Sequence, residues 1–247
     1  MKKTVCKCLL TCLVFVFVMM INVPAYAKSS KKSKVAMPKT VRENYLDENG
    51  EASPYSASEY TFSYDKSGRI SKISGVSKAT DGTWTYSISY KKSGKNTKVT
   101  IKYVPDWADD PETYTYKFNS KGYLISNNNS SKWEFDYVDD SKEALYLYAE
   151  NSYLAYFDNK AKIDMFYRLE GEKAKSMTVY YYEKEKMIGK VACQFDEAID
   201  PELITEELLL GVDKSLSQYE VKTSKVSMTN AVKWMNTVLL LDFVYRD

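Results

Sequence analysis

One short phrase recurs along this chain. Tyr60 to Ile70 (YTFSYDKSGRI) returns as Tyr86 to Lys95 (YSISYKKSGK) and as Tyr114 to Leu124 (YTYKFNSKGYL), with fainter echoes near Phe135 and Tyr180. A strand, tight turn, strand unit used repeatedly commits the chain to an array of hairpins, because each unit must bury its apolar face against the next. Inside the units the period is two. Tyr60, Phe62 and Tyr64 alternate with Thr61 and Ser63, and Trp84, Tyr86, Ile88 and Tyr90 alternate with Thr85, Ser87 and Ser89. Tyr114, Tyr116 and Phe118 continue the pattern, as do Trp133, Phe135 and Tyr137 opposite Glu134 and Asp136. Successive strand side chains point to opposite faces, so each strand has one apolar and one polar face, as in an antiparallel sheet covered on one side.

The connections carry their own signal. Asp65-Lys66-Ser67-Gly68 and Asn119-Ser120-Lys121-Gly122 place Asp or Asn first and Gly fourth, the preferences of a type I turn followed by a residue at positive φ. Lys91-Lys92-Ser93-Gly94 keeps the glycine, so Gly68, Gly94 and Gly122 are structural turn positions. Degenerate turns are expected at Asp139-Asp140-Ser141 and Lys184-Glu185-Lys186. Alignment on the glycines predicts three cross-strand rows: Tyr64, Tyr90 and Phe118; Phe62, Ile88 and Tyr116; Tyr60, Tyr86 and Tyr114. Tyr137 and Tyr182 would extend the first row. Roughly eleven to thirteen strands are too many for one flat open sheet, so a curled or barrel-like one is expected.

The ends divide the chain. Lys2 and Lys3 precede an apolar run from Leu9 to Val23, and Ala25-Tyr26-Ala27 supplies a small-x-small cleavage pattern, so residues 1–27 read as a secretory signal peptide. The rival is an uncleaved anchor, but Thr11 and Asn22 interrupt or border a run shorter than the roughly 20 apolar residues a spanning helix needs, so cleavage is favoured and no membrane span is expected after it. Residues 28–37 read as a flexible basic linker, and a solvated tail is favoured there over electrostatic attachment to an anionic envelope polymer. Residues 38–247 read as one antiparallel β domain, with a first strand over 38–46, a loop through Asn49-Gly50 and Pro54, and a short helix near 201–210. For that helix Asp200 is the cap, Pro201 the first helical residue and Gly211 the exit. In the tail, Ala231, Trp234, Met235, Val238 and Leu239 fit a helical face, whereas Leu239 to Tyr245 (LLLDFVY) reads as a buried strand. The fold class is therefore all-β, a meander of hairpins with a short C-terminal helix.

Tyr64-Asp65-Lys66-Ser67-Gly68-Arg69-Ile70, followed by Ile73, resembles the Tyr-Asp (YD) repeat of the RHS family of bacterial surface and secreted proteins. Clear matches cover Tyr60 to Ile73 and Tyr114 to Ile125, with weaker ones over Tyr86 to Ile101. The resemblance implies hairpins joined into a continuous winding sheet. Large members wrap such a sheet around a toxic C-terminal domain; this chain has no appended effector after its repeats, and it looks more like the small exported YD-like proteins of uncharacterised role.

The chain has no histidine at any position. That removes Ser-His-Asp and Cys-His catalysis, His-bound zinc and the side chain best suited to proton transfer near neutral pH. A non-catalytic protein without cofactor follows as the expectation. Cys6, Cys8 and Cys12 leave with the signal, so Cys193 stands alone and no internal disulfide can form; its alternating surroundings predict burial. Near-balanced charge argues against nucleic acid as a partner, which would call for a basic face. The 22 tyrosines are read chiefly as core. Trp107 falls off the strand period, in a proline-flanked acidic loop with Asp106, Asp109, Asp110 and Glu112. Trp107, Asp109 and Asp110 are the candidate ligand contacts, because loops carry binding residues. Those four acids lack the spacing of a calcium loop, so no metal is expected. These readings describe an exported binding protein for a protein or surface polymer. The alternatives are a carbohydrate-binding module and a carrier of a lipid or hydrophobic ligand.

Overall fold

The computed structural model describes residues 31–47, 49–127, 133–137, 144–149, 152–184 and 186–245. Residues 1–27, expected to be a signal peptide, and the turn expected at 139–141 lie outside them. Among the described residues, fourteen strands form one antiparallel sheet. They are β1 (Ser33–Leu46), β2 (Ala52–Tyr64), β3 (Ile70–Ser77), β4 (Thr83–Ser93), β5 (Asn96–Pro105), β6 (Glu112–Phe118) and β7 (Leu124–Asn127). The second series is β8 (Trp133–Tyr137), β9 (Ala144–Ala149), β10 (Tyr153–Asp158), β11 (Ile163–Glu170), β12 (Lys173–Glu183), β13 (Lys186–Ile199) and β14 (Asp213–Met228).

Each series is a meander of sequence neighbours, and the two are joined by β14 returning to pair with β1 from Ser33–Met228 to Leu46–Leu216. The sheet therefore ends at β7 and β8. Those two edges lie side by side, and across the seam Tyr123 stacks on Phe135 with ring centroids 4.7 Å apart, which nearly closes a barrel. The strand count exceeds the eleven to thirteen expected. Residues 33–37, read as linker, belong to β1 because β14 is long enough to pair with them. Pro54, read as loop, lies within β2; the register against β1 shifts opposite residues 53–56, and a bulge is where a strand tolerates proline.

The inward face is as the alternation predicts: Tyr60, Phe62, Ile88, Tyr116 and Phe118 are buried, and Tyr64, Trp84, Tyr86, Tyr90 and Tyr114 pack against them. The rows differ. Tyr90 faces Val99, which faces Tyr116 and not Phe118; Phe62 faces Ile73, which faces Tyr86 and not Ile88. Each hairpin is thus staggered by one inward pair relative to the glycine alignment, and a sheet that closes must carry such a shear.

Gly68, Gly94 and Gly122 have φ of 81°, 60° and 86°, as their turns require. In the first and third turns the leading side chain also holds the loop: Asp65 Oδ1 accepts from Ser67 N and Arg69 N, and Asn119 Oδ1 from Lys121 N and Tyr123 N. Asp158 does the same for Lys160 N and Lys162 N, with Ala161 at φ 60°. Phe157-Asp158-Asn159-Lys160-Ala161-Lys162-Ile163 is a further copy of the phrase that sequence reading missed, since alanine stands where the glycine serves as the marker. Lys184, in the other degenerate turn, has φ 58°.

Antiparallel pairing sends alternate connections to opposite ends. The tight repeat turns after β2, β4, β6, β10 and β12 share one end, the turn end, with the start of β1. The connections after β1, β3, β5, β11 and β13 share the other, the loop end.

After β13 the expected helix splits into a 3-10 turn (Pro201–Leu203), capped by Asp200, and α1 (Glu206–Leu210), capped by Thr205. Ile204, Leu208, Leu209 and Val212 cover a second core, built on Tyr167, Leu169, Met177, Cys193 and Phe195. Cys193 is buried there, as expected.

The chain ends in α2 (Asn230–Leu240) and a π-helical turn over Leu241–Tyr245. This corrects the strand read over Leu239 to Tyr245. The segment enters the barrel from the turn end and buries Trp234, Leu239, Leu241, Val244 and Tyr245 in the main core. A strand threaded through a barrel would leave its backbone groups unpaired, whereas a helix satisfies its own; an enclosed helix can be apolar all round. The repeat turns seat it. A Cβ on Gly122 would lie 2.0 Å from the Ala231 carbonyl oxygen, so the glycine lets the turn touch the first turn of α2. Asn236 Nδ2 donates to the Gly68 carbonyl at 2.8 Å and its Oδ1 accepts from Ile70 N at 3.1 Å, while Thr237 Oγ1 donates to the Ala161 carbonyl at 3.0 Å.

Candidate functional site

Whether the barrel is filled or hollow decides where a ligand can meet it. The inward tyrosines and α2 fill it. The gap left between α2 and the wall, among Tyr116, Leu124, Leu147, Phe166, Val238 and Leu241, measures about 20 Å³, room for about one water. Two charged groups buried inside pair with each other: Lys190 Nζ lies 3.0 Å from Glu43 Oε1, the two side chains being 5% and 1% exposed. Tyr219 donates its hydroxyl to the same carboxylate oxygen, and Lys190 and the Tyr180 hydroxyl both donate to the Tyr245 carbonyl. These bonds latch the end of the plug to β12 and β13. Burial and the neighbouring Glu43 carboxylate push the Tyr219 hydroxyl well up, so it stays a donor.

The loop end holds the sequence-predicted candidates. Asp106 anchors the β5–β6 loop to the start of β4: its carboxylate accepts from Thr83 N at 2.8 Å and Thr83 Oγ1 at 2.9 Å. Trp84 lies flat across β3, where Gly75 makes room; a Cβ there would come within 2.1 Å of the indole. The Trp107 ring stands edge-on to Trp84, centroids 6.0 Å apart, and rests over Gly82, yet remains 61% exposed. Trp84 in turn meets Tyr60 edge-on at 5.8 Å, so the exposed ring is founded on the core. Tyr103 stacks on Tyr86 at 4.8 Å nearby; burial, followed by Glu112 and Asp106, pushes its hydroxyl up. The Tyr114 hydroxyl donates to Glu112, and burial and that bond raise it to about 12.

The four acids of this loop thus divide. Asp106 and Glu112 are engaged by Thr83 and Tyr114, while Asp109 and Asp110 lie exposed at the tip beside Trp107. Among the described residues no three or more acidic or cysteine side chains converge as a metal site would require. The structure therefore brings Trp107 together with Trp84, which sequence reading had assigned only to the sheet. Gly75, inside a strand, and Gly82, two residues before Trp84, were the available signal.

No family model and no curated protein matches this chain. Among solved structures it is similar to a porin-like protein from Bacteroides uniformis, at 10% identity and a TM-score of 0.32, over 75% of this chain and 98% of that one. The wall has its own chemistry. Ser74, Ser87, Ser89, Lys98, Lys102 and Lys117 face outward from β3 to β6, the reverse of a lipid-facing wall. Over β10 to β13 the outer face is apolar; the segment around α1 covers much of it, while Tyr181 and Ile188 stay exposed.

Proposed function

We propose that this chain is an exported, non-catalytic binding protein of the cell surface or its surroundings. It works from the ends of a filled barrel, and its loop end recognises carbohydrate of a surface polymer through Trp107. The single observation that carries this reading is the exposed Trp107 ring propped on Trp84 and Tyr60. A rigid aromatic face stacks on the apolar face of a sugar at little entropic cost, and the adjacent Asp109 and Asp110 offer acceptors for sugar hydroxyls. The leader-like residues 1–27 support export, and the absence of histidine supports a non-catalytic role. The occupied interior favours binding at an end over carriage of a lipid within, because a lipid would have to displace α2. The polar wall favours a protein outside the bilayer over a pore.

Affinity gel electrophoresis against a panel of cell-wall and capsular polysaccharides tests the reading. At least one polymer should retard the wild type, and Trp107→Ala should abolish the retardation while its thermal midpoint stays within a few degrees. No retardation by any polymer, or equal retardation of the variant, would refute carbohydrate recognition at this end.

A further inference from the structure

Total charge is close to balanced, yet the fold sorts it. The turn end gathers DKSGR at 65–69, KKSGK at 91–95 and NKAK at 159–162, together with the lysines that open β1; the loop end gathers DWADDPE at 106–112, EGE at 170–172 and DPELITEE at 200–207. Because connections alternate between ends, the running sequence interleaves the two signs and hides the separation. On the wall near the turn end, register also sets Lys91, Lys98 and Lys117 side by side on three neighbouring strands. Like charges directly opposite one another cost stability, and this wall row lies apart from the groove described next.

We infer that the turn end binds a linear, phosphate-bearing polymer along a lysine-lined groove beside α2, a site separate from Trp107. An open cleft of about 300 Å³ is lined by Lys31, Lys32, Val35, Thr229, Asn230 and Lys233. It adjoins a second cleft of about 90 Å³ that shares Val35 and Lys233 and continues to Lys162 and Lys186. The two make one groove with lysines at its start, middle and far side. Lys32 donates to the Lys66 carbonyl and Lys162 to the Lys184 carbonyl. A carbonyl takes one of an ammonium's three protons and cancels none of its charge. Asp164 lies close to Asp158 and Lys162, and Glu183 stands opposite Lys186 in the β12–β13 pairing, so acids border the far side of the groove.

The lining also selects among polyanions. Among the described residues its rings are Tyr245, buried in the core, and half-buried Tyr182, which has Lys162 5.2 Å over its ring, so neither offers an open platform for bases and a phosphate chain without bases fits better than nucleic acid. None of the exposed large apolar side chains among the described residues lines the groove, so a bilayer would gain no insertion there.

Fluorescence anisotropy with labelled long-chain inorganic polyphosphate, from 50 to 200 mM salt, tests this. Binding should weaken steeply with salt. The triple variant Lys32→Gln, Lys186→Gln, Lys233→Gln should bind at least tenfold more weakly and flatten the log–log salt slope by about 2, at roughly 0.7 per lost phosphate contact. A second triple of equal charge, Lys91→Gln, Lys98→Gln, Lys117→Gln on the outer wall, should lose less than threefold. The pair Lys31→Gln, Lys32→Gln, at the start of the chain's described part, should lose affinity too and serves if the first triple does not fold. No binding by the wild type, equal loss in the wall variant, or tighter binding to single-stranded DNA or phosphatidylglycerol vesicles of matched charge would overturn the inference.

Discussion

Gly122→Ala isolates the dependence of the barrel on contact between a repeat turn and the helix inside it. The substitution carries two costs. The first is backbone: φ at 122 is 86°, where a Cβ costs roughly 1–2 kcal/mol. The second is space: the new Cβ would lie 2.0 Å from the Ala231 oxygen and 2.7 Å from its carbonyl carbon, so α2 or the hairpin must move by more than an ångström to restore ordinary contact. Moving α2 loosens Trp234, which is 1% exposed, and displacements of this kind in a packed core cost about 1–3 kcal/mol. The sum is roughly 2–5 kcal/mol, a large share of the ~5–15 kcal/mol that usually holds a domain together. Gly94 is the internal control, at φ 60° with nothing within 4 Å of its Cβ position. Gly94→Ala should therefore show only the first cost. Urea unfolding followed by tryptophan fluorescence measures both variants. Asparagine, which tolerates positive φ, should recover most of the loss at 94 and little at 122. Equal destabilisation of the two alanine variants, within about 0.5 kcal/mol, would refute the seating of α2 by the turn.

Other perturbations probe other contacts. Burial, then Asp158, raises the Asp164 carboxyl from 3.8 to about 7. The folded state thus holds that proton more tightly than the unfolded chain, and the stability this contributes is full below the ordinary carboxyl value and lost as pH rises through about 7. Asp164→Asn should flatten the fall in unfolding midpoint between pH 4 and pH 8; an unchanged slope would contradict the burial argument. Lys190→Met strands the Glu43 carboxylate in the interior and should cost about 3–5 kcal/mol. Adding Glu43→Gln, which still accepts from Tyr219, should restore more than half of that in chemical denaturation; no recovery would mean that the pair is not what holds the two groups together.

The local alternation of rings and hydroxyls made the inward face legible residue by residue, since strand orientation depends only on immediate neighbours. The positive-φ glycines at 68, 94 and 122 were legible for the same reason, as was Trp107 as the aromatic that no strand period demanded. Asp158 to Ala161 escaped because a turn can keep its Asp-led hydrogen bonds while giving up the glycine that marks it. Asn236, Glu43 and Lys190 escaped because each is polar on its own and safe in the interior chiefly through oxygen and nitrogen partners 55 or more residues away.

What the amino-acid order determined by itself was the hairpin unit, its two faces and its turns, because those rest on torsions and contacts within a few residues. Tertiary structure alone decided the stagger of the aromatic rows, since shear belongs to the whole ring of strands. It decided that LLLDFVY is helical, because only a self-satisfied backbone can lie inside a barrel. It also sorted the charges, since the sign of each end emerges only once alternate connections are gathered in space.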